Sequence, residues 1–206
     1  MESNWAADNL QTIRTLMERS AVYRRALAPI LLFAGVLGVL AAAAGLVFQL
    51  DSVRTFGGLW LGTAGVAVAG AFLIARRQSL KDHEPFWSPP TRRVAQALLP
   101  ALAAGMFLGL VITLSDSGDE YALLLVLIWT LFYGCALHAA GFFMPRGMKL
   151  FGWLHIGGAC GFFGLLVALP SAANLSANWG MGFFFGVLHL VYGAYLYLTE
   201  KRGNES

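Results

Sequence analysis

Residues 27–50 read LAPILLFAGVLGVLAAAAGLVFQL and contain no Asp, Glu, Lys or Arg. A helix of about 20 apolar residues crosses a hydrocarbon core of about 30 Å. Five further stretches of the chain have a similar length and also lack charge: 57–75, 94–114, 121–143, 150–169 and 179–198. The sequence therefore predicts an all-α integral membrane protein, with a bundle of six transmembrane helices over residues 27–198.

The basic residues lie in alternate gaps between these stretches. All Lys and Arg residues except Arg54 precede the first stretch, lie in the second or fourth gap, or follow the last stretch. The third gap instead carries Asp116, Asp119 and Glu120. Because Lys and Arg hold short loops in the cytoplasm, this distribution predicts an inner-membrane protein with both termini in the cytoplasm.

Composition indicates the same class of protein. The chain is 58% hydrophobic and 12% charged, whereas about a quarter of the residues in soluble domains are charged. The net charge of +3 comes from residues close to the ends of the apolar stretches, so we expect anionic lipid of the bilayer as their partner and no nucleic acid. Both cysteines lie inside predicted spans, without the spacing of a disulfide framework or a zinc site.

Residues 1–26 predict an amphipathic N-terminal helix on the cytoplasmic side. Asp8 and Gln11 have the spacing of a capping box, and apolar residues then recur at helical spacing at Leu10, Ile13, Leu16 and Met17. We predict that residues 8–23 lie in the membrane interface. A helix packed beneath the bundle satisfies the same pattern. Residues 199–206 are predicted to form a cytoplasmic tail.

The second gap, residues 76–93, is the only gap long enough to hold structure of its own. Phe86 and Trp87 suit either the membrane interface or a cytoplasmic docking site for a partner protein. Ser88, followed by Pro89 and Pro90, has the pattern of an N-cap and first helical turn. The third helix is therefore predicted to begin directly after Ser88.

Four pairs of glycines have GxxxG spacing inside the predicted spans. They are Gly58 and Gly62, Gly105 and Gly109, Gly157 and Gly161, and Gly182 and Gly186. Small residues let helix backbones approach closely in lipid, where apolar side chains gain nothing by leaving the solvent. The pairs predict a tightly packed bundle, and a homo-oligomer through one of these faces is the second interpretation.

Three histidines are the only ionisable candidates for a site inside the membrane. At 1.5 Å per residue, His138, His155 and His189 lie about 8, 9 and 14 Å from the cytoplasmic ends of their spans. Cys135 and Tyr192 each lie three residues from one of them, on the same helix face. Together they form a candidate polar site that could bind a metal ion or a haem iron. Alternatively, each histidine is hydrogen-bonded separately to a backbone carbonyl or hydroxyl of a neighbouring helix.

These features favour a protein without enzymatic activity. We expect it to bind or move a small, weakly polar molecule, or to assist a partner membrane protein. The competing hypothesis is a metal- or haem-binding redox subunit built on the intramembrane histidines. The sequence does not identify the metal or the cofactor.

Three segments also carry a resemblance to a known family. They read LMERS (16–20) with YRRALAP (23–29), FWSPPTRR (86–93) and FYGCALHAAGFFMPRG (132–147). Together they resemble a family of bacterial multi-pass inner-membrane proteins with no assigned activity, and the resemblance spans most of the chain. It implies a bacterial source, and it implies no mechanism and no catalytic residue.

Overall fold

A computed structural model of the chain describes residues 26–83, 85–115, 118–144, 147–169, 171 and 175–205, with residues 200–205 as backbone only. The described residues form six helices that are long and apolar enough to cross a membrane. This confirms the predicted six-helix membrane bundle. The helices are α1 Ala26–Val47, α2 Val53–Lys81, α3 Pro89–Leu114, α4 Tyr121–Ala140, α5 Gly147–Ala168 and α6, which starts at Ala177.

Helix α6 has three successive segments. Ala177–Met181 and Leu188–Glu205 are α-helical, and Gly182–Val187 between them is π-helical. The predicted amphipathic helix over residues 8–23 lies outside the described residues. We call the helix ends near Asp51, Asp119 and Glu120 the acidic end of the bundle, and those near Arg76 to Arg93 the basic end.

The ends of the helices follow local chemistry. Helix α3 begins at Pro89 after the N-cap residue Ser88, as predicted. Helix α2 is longer than the predicted span 57–75 at both ends, because hydropathy reports only the apolar part of a helix that continues into the charged residues around Arg76. Helix α1 ends before Leu50, since Gln49 has a φ of 52°, a left-handed conformation that ends a helix.

The first and last helices close the bundle through an antiparallel backbone contact. A Cβ added at Gly35 would lie 2.8 Å from the backbone N of Leu190, and one added at Gly193 would lie 3.0 Å from that of Leu32. Helices can approach this closely only where side chains are missing, so dispersion between backbones holds α1 against α6.

Helix α4 packs against α3, α5 and α6, and it also contacts α2. A Cβ at Gly134 would lie 2.9 Å from the carbonyl O of Gly152, which makes α4 and α5 a close antiparallel pair. On another face of α4, Trp129 donates a hydrogen bond from Nε1 to the carbonyl O of Gly105 in α3, at 3.1 Å. Near the acidic end, Val126 lies against Gly180 of α6.

Only two of the four GxxxG pairs take part in packing within the described chain. Phe132 and Trp129 lie on the pair in α3, and Val39 and Ala42 lie on the pair in α6. The pairs at residues 58 and 62 and at residues 157 and 161 have no described atom within 4 Å of an added Cβ. GxxxG spacing marks a flat helix surface and does not specify which surface of the protein it contacts.

Two apolar clusters fill the interior, one towards each end. The cluster at the acidic end includes Phe56, Leu125 and Phe184. The cluster at the basic end includes Leu137 and Phe151. Polar side chains lie where these two clusters meet, and they form the candidate site.

Candidate functional site: an intramembrane tyrosine and histidine cluster

Tyr133, His155 and His189 come together from α4, α5 and α6. The ring centroids of the two histidines are 5.5 Å apart, and that of Tyr133 lies 5.2 Å from His155 and 5.4 Å from His189. His155 is 0% exposed and His189 2% exposed, whereas Tyr133 is half-buried. We call these three residues the Tyr–His cluster.

The π-helical segment of α6 provides the carbonyl group on which both histidines converge. In an α-helix the N–H of Leu188 would bond to the carbonyl O of Phe184, but here it bonds to that of Phe183. The carbonyl of Phe184 thereby loses its α-helical donor. It lies instead 3.0 Å from Nδ1 of His189 and 3.3 Å from Nε2 of His155. Single π-helical turns of this kind occur frequently at functional sites.

The hydrogen bonds of His189 define its protonation. A carbonyl oxygen only accepts, so Nδ1 of His189 carries the proton that it shares with Phe184. Nε2 of the neutral ring is then an acceptor, and the hydroxyl of Tyr133 donates to it at 2.7 Å. Both ring nitrogens of His189 are therefore occupied within the chain.

Aromatic rings surround the cluster. Phe151 lies 4.6 Å from His155 and 5.1 Å from His189, and Phe185 lies 5.1 Å from Tyr133. These rings belong to α5 and α6 and separate the polar groups from solvent. Hydrogen bonds in such an apolar environment are electrostatically stronger than the same bonds in water.

His138 and Cys135, which the sequence suggests as partners, lie on other faces of α4. Residues 133 and 138 are five positions apart, which is about 140° around an α-helix. The ring of His138 lies 5.2 Å from Trp153, and its Nδ1 has no hydrogen-bond partner among the described residues. Cys135 is exposed on the outer surface of the bundle.

Tyr192 lies one layer away from the histidines. Its ring stacks on Phe151 at 4.5 Å, and its hydroxyl, which lies against Gly147, has no partner in the part of the chain that the structure describes. The phenol that bonds to His189 is Tyr133, which sequence reasoning missed. A tyrosine in the middle of an apolar span is the signal that could have identified it, because a phenol in lipid needs a hydrogen-bond partner.

The hydrogen-bonding geometry does not favour the metal or haem hypothesis. Among the described residues there is no group of three or more His, Cys, Asp or Glu side chains that could hold a metal ion. Both nitrogens of His155 and of His189 point at oxygen atoms of this chain. The lone pairs that would bind iron or zinc are thus directed at groups inside the protein.

A second buried polar group, Asn178 of α6, joins α2 and the loop after α1 at the acidic end. Asn178 is 0% exposed. Its Oδ1 accepts from Nε1 of Trp60 in α2 at 3.0 Å, and its Nδ2 donates to the carbonyl O of Leu50 at 3.2 Å. Sequence reasoning also missed this residue, because asparagine beside a predicted loop carries no signal of burial.

The residues predicted as a docking loop divide between two environments. Phe86 is half-buried and packs edge-on against Phe72 of α2, with ring centroids 4.9 Å apart. Trp87 is 60% exposed. Phe86 therefore packs within the bundle. Trp87 is the aromatic residue of this loop that is accessible to the membrane interface or to a partner.

The fold and the cluster define an α-helical membrane protein with hydrogen-bonded histidine and tyrosine side chains at the centre of its bundle. Comparison with known protein families, with curated proteins and with solved structures finds no match for the chain. The resemblance to a family of bacterial membrane proteins therefore stays a prediction.

Proposed function

We propose that this chain is a non-enzymatic protein of the bacterial inner membrane that binds or moves a small, weakly polar molecule at the Tyr–His cluster. The hydrogen bond from Tyr133 to His189, at 2.7 Å, is the observation that carries the proposal. Polar groups inside a membrane are costly, and they are kept mainly where they have a function.

The composition of the cluster suits a molecule of this kind. Sites for small molecules are lined mostly by aromatic and apolar side chains, with a few placed polar groups that orient the ligand. Here Phe151, Phe184 and Phe185 supply the aromatic surface. The hydroxyl of Tyr133 is a donor and Nε2 of His189 is an acceptor. A carbonyl group would accept from Tyr133, and a hydroxyl group would donate to His189.

Tyr133 is the point of entry in this proposal. It is half-buried, whereas both histidines are buried. A molecule that arrives from the lipid side therefore meets the phenol first and exchanges the internal Tyr133–His189 bond for two bonds of its own. Because one set of hydrogen bonds replaces another, the exchange leaves no polar group of the cluster without a partner.

We expect a small molecule to co-purify with the chain from native membranes, and we expect Tyr133→Phe to retain less of it than the wild type. Removal of one hydrogen bond worth about 1 kcal/mol lowers the affinity about fivefold. The measurement is mass spectrometry of small molecules extracted from equal amounts of purified wild-type and variant protein.

The matched control is Tyr195→Phe. This residue of α6 is 58% exposed, so the substitution removes a phenol that points away from the cluster. The control should retain the molecule at the wild-type level. Equal retention by both variants, or loss from both, would contradict a binding site at the cluster.

The proposed location in the inner membrane, with cytoplasmic termini, rests on the placement of basic residues. We expect a membrane-impermeant thiol reagent, applied to intact cells, to label Glu120→Cys at the acidic end and to leave Arg93→Cys at the basic end unlabelled. Both residues are exposed. Cys135 and Cys160 are replaced by Ala beforehand, so each variant has a single thiol. The opposite labelling pattern would reverse the proposed orientation.

A further inference from the structure

The side chain of His155 faces two acceptors at once. Its Nδ1 lies 2.9 Å from the carbonyl O of Phe151, and its Nε2 lies 3.3 Å from the carbonyl O of Phe184. Both carbonyl groups can only accept, and a neutral imidazole has only one N–H to donate. In either neutral tautomer, one nitrogen lone pair therefore points at a carbonyl oxygen without a proton between them.

Only one protonation state satisfies both contacts. We propose that His155 is a proton-binding site inside the membrane domain. A hydronium ion gives up the proton and becomes water, so one of its O–H bonds breaks and an N–H bond forms at Nε2 of His155. No bond within the protein is broken, and the charge of the cluster rises by one. The imidazolium then donates to Phe151 and to Phe184 simultaneously. The longer of the two contacts, to Phe184, is the one that the proton converts into a hydrogen bond.

Two other titratable side chains are in ring contact with His155, and their hydrogen bonds favour His155 as the residue that takes up the proton. They are Tyr133 from α4 and His189 from α6. His189 already carries a proton on Nδ1, and its Nε2 accepts from Tyr133. A second proton on His189 would only reverse the direction of that bond, because the hydroxyl of Tyr133 can also accept, and would add none. A second proton on His155 adds one hydrogen bond. The carbonyl O of Phe184 has two lone pairs and can accept from both rings.

Hydrogen bonds to two carbonyl groups offset part of the free-energy cost of a buried imidazolium ion. A cation in an apolar interior is unfavourable, but both N–H groups of this imidazolium would form charge-assisted hydrogen bonds. Because His155 is 0% exposed, the site suits a proton, which needs no cavity.

Proton binding also has a structural consequence. The new hydrogen bond joins α5 to the π-helical segment of α6, at the carbonyl that this segment frees. Uptake of the proton therefore tightens the contact between these two helices. The inference goes beyond the proposed function, because it holds for the chain without any bound molecule.

Nitrogen NMR of the histidine side chains tests this directly. The full chain, with ¹⁵N-labelled histidine, is placed in phosphatidylcholine bilayers and titrated from about pH 8 to about pH 5, the range in which histidines usually change charge. We expect His155 to change from one protonated ring nitrogen to two. His189 should keep a single proton, on Nδ1, throughout the titration.

The chain has four histidines, and three variants assign their signals. His83→Gln and His138→Gln each remove the ring-nitrogen signals of one histidine outside the cluster. Tyr133→Phe shifts the signal of His189, which loses its hydrogen-bond donor. A single proton on His155 at every pH at which circular dichroism reports folded protein would overturn the proposal. Uptake of the proton by His189 would also overturn it.

Discussion

Gly38→Ala should destabilise the bundle by about 1–3 kcal/mol, the usual cost of overfilling a packed interior. A Cβ at residue 38 would overlap the carbonyl O of Phe185 and lie 2.8 Å from the backbone N of Gly186. These atoms belong to the backbone of α6, which cannot rotate away as a side chain can. The measurement is the free energy of unfolding in mild detergent with increasing sodium dodecyl sulfate, followed by tryptophan fluorescence.

Gly62→Ala is the matched control for this change. It alters the same residue type in a transmembrane helix, but no described atom lies within 4 Å of the added Cβ. We expect its free energy of unfolding to stay within about 0.5 kcal/mol of the wild type. Equal destabilisation by the two variants would contradict the contact of α1 with α6 as the source of the loss, since Ala is itself a better helix former than Gly.

Asn178→Ala is expected to have the second large effect. The change removes the acceptor of Trp60 and the donor to Leu50, so that two polar groups of the bundle lose a partner. A buried donor or acceptor without a partner costs about 1–3 kcal/mol. The same unfolding measurement in detergent reports the loss.

A double-mutant cycle with Trp60→Phe isolates the interaction between the two side chains. Phenylalanine keeps an aromatic ring beside Phe56 and removes only the N–H donor and the larger ring. We expect a coupling energy of at least about 0.5 kcal/mol between the two substitutions. Gln96→Ala, at an exposed position of α3, deletes an amide that makes no hydrogen bond with the described residues, and it should change little. Strict additivity in the cycle would refute the hydrogen bond as a source of stability.

The Tyr–His cluster lies next to the contact between α1 and α6, and Phe185 connects them. Gly38 lies against Phe185, and the ring of Phe185 contacts both Tyr133 and His189. A variant that pushes α6 away from α1 therefore also displaces one wall of the cluster. For this reason, binding by Gly38→Ala should be compared only at conditions in which the variant is fully folded.

Most of the fold is legible in the sequence because lipid imposes a strict condition on the backbone. Every N–H and C=O in the hydrocarbon must be paired, so an apolar stretch of sufficient length forms a helix. The six predicted spans all correspond to helices of the structure. The ends of the helices differ from the predicted ends where a helix continues into polar residues, which hydropathy does not detect. Helix α2 continues past Ala75 to Lys81, since helical hydrogen bonds do not stop where apolar side chains stop.

The candidate site was only half predictable. His155 and His189 were identified because ionisable residues are rare inside apolar spans. The third predicted histidine, His138, and Cys135 have comparable depth but a different angular position around α4. Tyr133 takes the place that the sequence assigned to Tyr192. Sequence spacing gives the angle between residues of one helix, and it gives no angle between residues of different helices.

The sequence by itself determined the solvent of this protein, the number of its helices and the polar residues placed among them, because each depends on one segment and on lipid. Only the tertiary structure decided which glycines contact the backbone of a neighbouring helix and which lie on the outer surface. It likewise decided that Tyr133 is the tyrosine that bonds to His189. It also decided that one π-helical turn offers the carbonyl of Phe184 to two imidazoles. These features depend on how each helix is rotated against its neighbours, and that rotation follows from the packing of all the helices together.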